Sequence, residues 1–154
     1  MGKILCATRG GEESQRTQEA AIELAKAAGD KLVFLFIFDM EFMKHANYAM
    51  RSEVVEEELE QMARFLMTMA VERAEQQGIP ARFLIREGSF ATELAAAAIE
   101  EKATLVVLGY PGEEGNKFAL SHLRELADRL QADTGIPFRI LPSMGTEEQS
   151  GQAD

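Results

Sequence analysis

Short apolar runs, each followed by a stretch of helical periodicity, constrain this chain more than any other feature. KILCAT (3–8), KLVFLFIF (31–38), TLVVLG (104–109) and PFRILP (137–142) are continuous rather than alternating. A strand that is apolar on both sides must be covered on both sides, which is the situation of a parallel strand inside an α/β sheet. ARFLIRE (81–87) alternates instead and reads as an edge strand.

Helical stripes separate these runs. They comprise Ala20, Ala21, Leu24, Ala25 and Ala28; Val55, Leu59, Met62, Ala63, Leu66, Met69 and Ala70; Ala91, Leu94, Ala95, Ala98 and Ile99; and Ala119, Leu123, Leu126, Ala127 and Leu130. Each follows the spacing of an amphipathic helix. Phe65 and Met67 fall off the second stripe, so that helix is apolar on more than one side. Either it packs under residues 39–51, the preferred reading, or that face meets another protein. Gly29, Gly78 and Gly135 stand at helix ends, where a left-handed cap residue is wanted. Ser89 is placed as an N-cap. Strict β-α alternation predicts an open α/β sheet with right-handed crossovers. Residues 2–142 read as one domain, and the acidic segment 143–154 as a disordered tail.

The formal charge of −10 argues against a nucleic-acid backbone or an anionic membrane surface as partner, because both require basic patches. The longest apolar run, LVFLFIF (32–38), is too short to span a bilayer. A single cysteine, Cys6, allows no disulfide within the chain. The two histidines, His45 and His122, have no metal-ligand spacing, so no metal site is expected. A reducing cytoplasm fits these features.

Ligands of such sheets bind beyond the carboxyl ends of the strands, where strand order reverses. Two glycine-bearing turns are candidates: ATRGGEES (7–14) and the loop inside LVVLGYPGEEGNKFALS (105–121). Exposed backbone N–H groups and two helix N-termini favour an anion there. Arg9 adds a bidentate cation. Glu113 and Glu114 oppose it. No nucleophile stands in a nucleophile-elbow context, Ser14 being read as an N-cap, so the chain is not expected to be an enzyme.

These residues together resemble the universal stress protein family. The resemblance is carried by KILCATRGGEESQRTQEAAIELAKAAGDKLVFLFIFD, REGSFATELAAAAIEEKATLVVLGYPG and GIPFRIL. It implies a Rossmann-like fold: an open five-stranded parallel sheet of order 3-2-1-4-5 with helices on both faces. It also implies a homodimer seamed by the last strand, through Phe138, Ile140 and Leu141. One branch of the family binds ATP or AMP and is marked by G-x2-G-x9-G-[ST]. Gly109 and Gly112 match the first half, but His122 and Leu123 replace the closing Gly-[Ser/Thr]. Arg9 also stands where binding members tend to carry an acid. The implied nucleotide or anion site comprises Ala7, Thr8, Arg9, Gly10, Phe38, Asp39, Gly109, Gly112, Gly115, Ser121 and His122.

The expected function is therefore a stress-response protein that acts by binding a protein partner, with a degenerate site whose ATP affinity is weak or lost. The alternative is a working AMP or ATP sensor using Arg9 and the 109–117 loop. RGGEES (9–14) also resembles the SGGxDS loop of the PP-loop ATP pyrophosphatases, through Gly10, Gly11 and Ser14. That resemblance implies an ATP-using enzyme as a third reading.

Overall fold

A computed structural model describes residues 2–8, 12–38, 52–109 and 116–141. The elements alternate: β1 (Lys3–Thr8), α1 (Glu12–Ala28), β2 (Lys31–Phe38), α2 (Ser52–Gln76), β3 (Ala81–Glu87), α3 (Phe90–Glu100), β4 (Leu105–Gly109), α4 (Asn116–Thr134) and β5 (Phe138–Leu141). All strand pairings are parallel, and the order is β3-β2-β1-β4-β5. The expected sheet is therefore the one observed.

Period-two alternation of the strand side chains distributes them to two cores. Leu5 and Ala7 of β1, with Val33, Leu35 and Ile37 of β2, pack against Leu94, Ala97 and Ala98 of α3 and Ala127 and Leu130 of α4. Ile4, Cys6, Leu32 and Phe34 turn the other way and meet Ala21, Ile22 and Ala25 of α1 and Met67, Ala70 and Ala74 of α2. The small alanines let helix and sheet approach closely, and each buried Leu, Ile, Phe or Met side chain stabilises by about 1.5–3 kcal/mol relative to exposure.

β3 is an edge strand, as its alternation suggests. Arg82 and Arg86 share one of its faces and are met by carboxylates. Arg86 bonds Glu93 at 2.9 Å and Glu100 at 3.0 Å, while Arg82 and Lys3 both pair with Glu101. Its hydrogen bonds to Glu100 and then to Glu93 hold the Arg86 guanidinium more firmly protonated than usual.

Several local expectations stand and several do not. Gly29, Gly78 and Gly135 adopt φ of 73°, 82° and 76°, the left-handed values that glycine adopts without a Cβ penalty. Ser89 occupies the N-cap position of α3, but its hydroxyl makes no capping bond. Ser14 lies inside α1, which begins at Glu12, and so is no N-cap. The stripe on α2 is re-phased: Met67 is fully buried, whereas Met62 and Met69 are exposed. On α3, Ile99 is exposed and Ala97 takes its place in the core. The expectation that α2 packs under residues 39–51 concerns a segment outside the described residues, as does the disordered-tail reading of 143–154.

Candidate functional site

The strand order reverses between β1 and β4, which start connections running in opposite directions across the sheet. Ala7 pairs with Leu108, so the next residues, Thr8 and Gly109, end the two strands side by side. β2 runs further. Phe36 is the partner of Thr8, and Phe38 stands two residues beyond it, about 6.6 Å higher. The carboxyl edge is thus a step, with Thr8 and Gly109 as its floor and Phe38 as its riser. Phe38 packs edge-on against Phe36, with ring centroids 5.0 Å apart and planes at 62°.

Thr8 is the chemically unsatisfied residue of this floor. It is buried, and its Oγ1 has no hydrogen-bond partner among the described residues. An unmade bond of this kind costs about 1–3 kcal/mol and is available to an incoming polar group. Ala7, one residue earlier, is buried among core side chains; it shapes the floor and offers no side-chain polar atom.

Gly109 has a packing reason for being glycine. A methyl group built on it would lie 2.7 Å from Thr17 Oγ1 of α1. Thr17 is fully buried, so α1 sits directly over the end of β4, and any larger residue would push it off. Sequence reasoning missed Thr17. The signal was present: Thr17 and Gln18 precede the buried Ala21 and Ile22 by four residues each, so helical period already placed them on the inner face. Gln18 is likewise buried and accepts a 2.7 Å hydrogen bond from Arg73 Nη2 of α2. Arg73 Nε is buried without a partner among the described residues.

Ser121 and His122 are not brought to this floor. They are exposed, at the sixth and seventh positions of α4, whose inner side packs on the opposite face of the sheet from Thr8. The helix starts at Asn116, so His122 lies past its first turn. Leu123 packs inward against the core and not over a ligand. Only the first four N–H groups of a helix are free, so the amides of His122 and Leu123 belong to the helical ladder and offer nothing to a phosphate. Arg9, Gly10, Asp39, Gly112 and Gly115 lie outside the described residues.

Cys6, two residues before Thr8, is buried, and desolvation pushes its thiol up to about 12. It is protonated at neutral pH and is no nucleophile. Among the described residues no group of His, Cys, Asp and Glu is placed to hold a metal ion, and no helix is long and apolar enough to cross a membrane.

The architecture has known counterparts. The family model described as "Universal stress protein family" matches residues 1–132. A universal stress protein family structure from Burkholderia pseudomallei superposes with a TM-score of 0.68 at 23% identity, covering 92% of this chain and 96% of that one. A universal stress protein in complex with cAMP gives 0.65 at 20% identity, covering 91% and 96%. The Archaeoglobus fulgidus universal stress protein in complex with dAMP gives 0.57 at 12% identity, again covering 91% and 96%. No curated protein matches significantly. The family match spans most of the chain and the sheet has the order that the resemblance implied: the chain belongs to the universal stress protein family.

Proposed function

We propose that this protein acts by binding rather than catalysis, and that its crevice takes an adenosine monophosphate in preference to ATP. The observation that carries this reading is the buried Thr8 hydroxyl at the strand-order reversal, which has no partner among the described residues. It offers one neutral polar group, beside the end of β4, where Gly109 lies under Thr17 of α1, and one step below Phe38. Arg9 follows Thr8 in the chain and supplies one cation. That equipment suits a nucleotide with one phosphate. A triphosphate needs further amide donors, and the positions where the motif would supply them, His122 and Leu123, are spent inside α4. Two relatives whose complexes contain cAMP and dAMP support a ligand with a single phosphate.

We further propose a homodimer paired along β5. That strand ends the sheet, and Phe138, Ile140 and Leu141 are only half-buried on it. An open edge with apolar side chains is a pairing template. Such a protein would regulate a cytoplasmic partner according to nucleotide occupancy.

Calorimetric titration of nucleotide-free protein with AMP and ATP, with and without magnesium, tests the crevice. AMP is expected to saturate in the micromolar range and ATP to bind at least about tenfold more weakly, a difference of about 1.4 kcal/mol. Thr8→Val is the companion variant. It keeps the shape and removes a hydroxyl that has no partner, so thermal stability should hold or rise while AMP affinity falls about tenfold. Silence towards AMP, or ATP binding as tight as AMP, overturns the proposal.

A further inference from the structure

α2 carries an exposed seam that neither core absorbs. Met62, Phe65 and Met69 are 56%, 64% and 38% exposed. With Glu58 before them and Glu72 after them, they are spaced four, three, four and three residues apart. That is the spacing by which one helix presents a continuous seam to another. It is a second seam, because the sheet is met by Met67, Ala70 and Ala74 on a different side of the same helix.

The charges around the seam select the occupant. Glu58 and Glu72 close its two ends, and Glu57, Glu60 and Glu75 flank it, all exposed. The cations of this part of α2 are engaged. Arg64 pairs with Glu60 at 3.4 Å, and Arg73 turns inward to Gln18. A second copy of the helix therefore brings more carboxylates and no cation to meet them, so self-pairing sets like charges against each other. A partner helix with apolar residues at the same spacing and lysine or arginine at the seam ends meets both demands. Methionines suit such a surface, because an unbranched thioether adapts to varied apolar shapes.

We propose that the Glu58–Glu72 face of α2 is a docking surface for a basic amphipathic helix of another protein. Apolar anchoring falls to Met62, Phe65 and Met69, and orientation to the glutamates at either end. This is recognition of one helix face by another, read as anchors at i, i+3, i+7 and their repeats.

Fluorescence-anisotropy titration of the full chain tests the surface. The probe is a labelled synthetic helix with leucines at seam spacing and lysines flanking them. Controls are a scrambled peptide of the same composition and a version with every lysine replaced by glutamate. Saturable binding of the lysine helix is expected, weakened about tenfold or more by Phe65→Ser and by Glu58→Lys with Glu72→Lys. The glutamate version should not bind. Both sets of substitutions are at exposed positions, and circular dichroism checks that the fold is kept. Equal binding of the scrambled peptide would mean general attraction to an acidic protein and would overturn the proposal. So would indifference to Phe65→Ser, or absence of binding at millimolar peptide. Sedimentation of wild type against Phe65→Ser closes the remaining case: if self-association is lost with Phe65, the occupant is a second copy and the basic-helix assignment fails.

Discussion

The two helical layers of this molecule cover one sheet in different ways. α3 has 11 residues, about 17 Å of helix, and fits within the strands beneath it. Leu94, Ala97 and Ala98 are spent on the core, and its acids Glu93 and Glu100 are spent on Arg86 of the edge strand β3. α2 has 25 residues, about 37 Å, over strands of at most 8 residues, about 26 Å. Residues 77–80 tie its lower end closely to β3, so the excess runs out past the carboxyl edge. Among its described side chains the fully buried ones begin only at Ala63. The exposed seam lies alongside the buried stretch, because Met62, Phe65 and Met69 stand at the height of Ala63, Met67 and Ala70 on another side of the helix.

Substitutions on the two sides of α2 test that contrast most strongly. Met67→Ala should cost about 2–5 kcal/mol, as should Leu94→Ala on α3, since both side chains are fully buried. Phe65→Ala should change stability by no more than about 0.5 kcal/mol. Urea titrations of the three variants decide the point, and a large loss in Phe65→Ala would break the comparison.

The α1–α2 seam should show a cost of intermediate size. Gln18→Leu keeps volume but leaves the Arg73 guanidinium without its amide acceptor, so about 1–3 kcal/mol should be lost. Adding Arg73→Met should recover much of it, because removing both partners of a buried polar pair is far cheaper than removing one. An additive double variant would show that the two residues do not act together.

An effect absent at neutral pH comes from Cys6, in the core beneath α1 and α2. Its pKa is raised by desolvation from 9.0 to about 12. Below 9.0 both folded and unfolded chains hold the proton. As pH rises through the window between these values, the unfolded chain releases it first, so stability falls, by at most about 1.4 kcal/mol per pH unit from this group. Denaturation of wild type and Cys6→Ala across that window should show a shallower pH slope in the variant.

The elements that could be read before folding are those whose signal is local. Continuous apolar runs located β1, β2, β4 and β5, and alternation placed β3 at an edge, because burial on one or both faces writes its own period into the chain. The glycines at helix ends were legible for the same reason: a positive φ is a demand on one residue. Strand order came through the family resemblance, since no single segment records which neighbour it pairs with.

What only tertiary structure decided is the phase and the partners. Alanine and methionine suit the inside or the margin of a helix about equally, so helical spacing put Met69 in the core and Met67 outside it. The rotation of α2 about its own axis against the sheet reversed them. Gly109 looked like a phosphate glycine until Thr17 was found above it, a contact between residues 92 positions apart. His122 matched a motif position by counting, but the start of α4 at Asn116 committed its amide to the helix. The sequence by itself determined which segments are strands and helices, because that depends on neighbours along the chain. Which polar groups are left unsatisfied, such as Thr8 Oγ1, and which apolar face is left uncovered, such as that of Phe65, depends on how those segments pack.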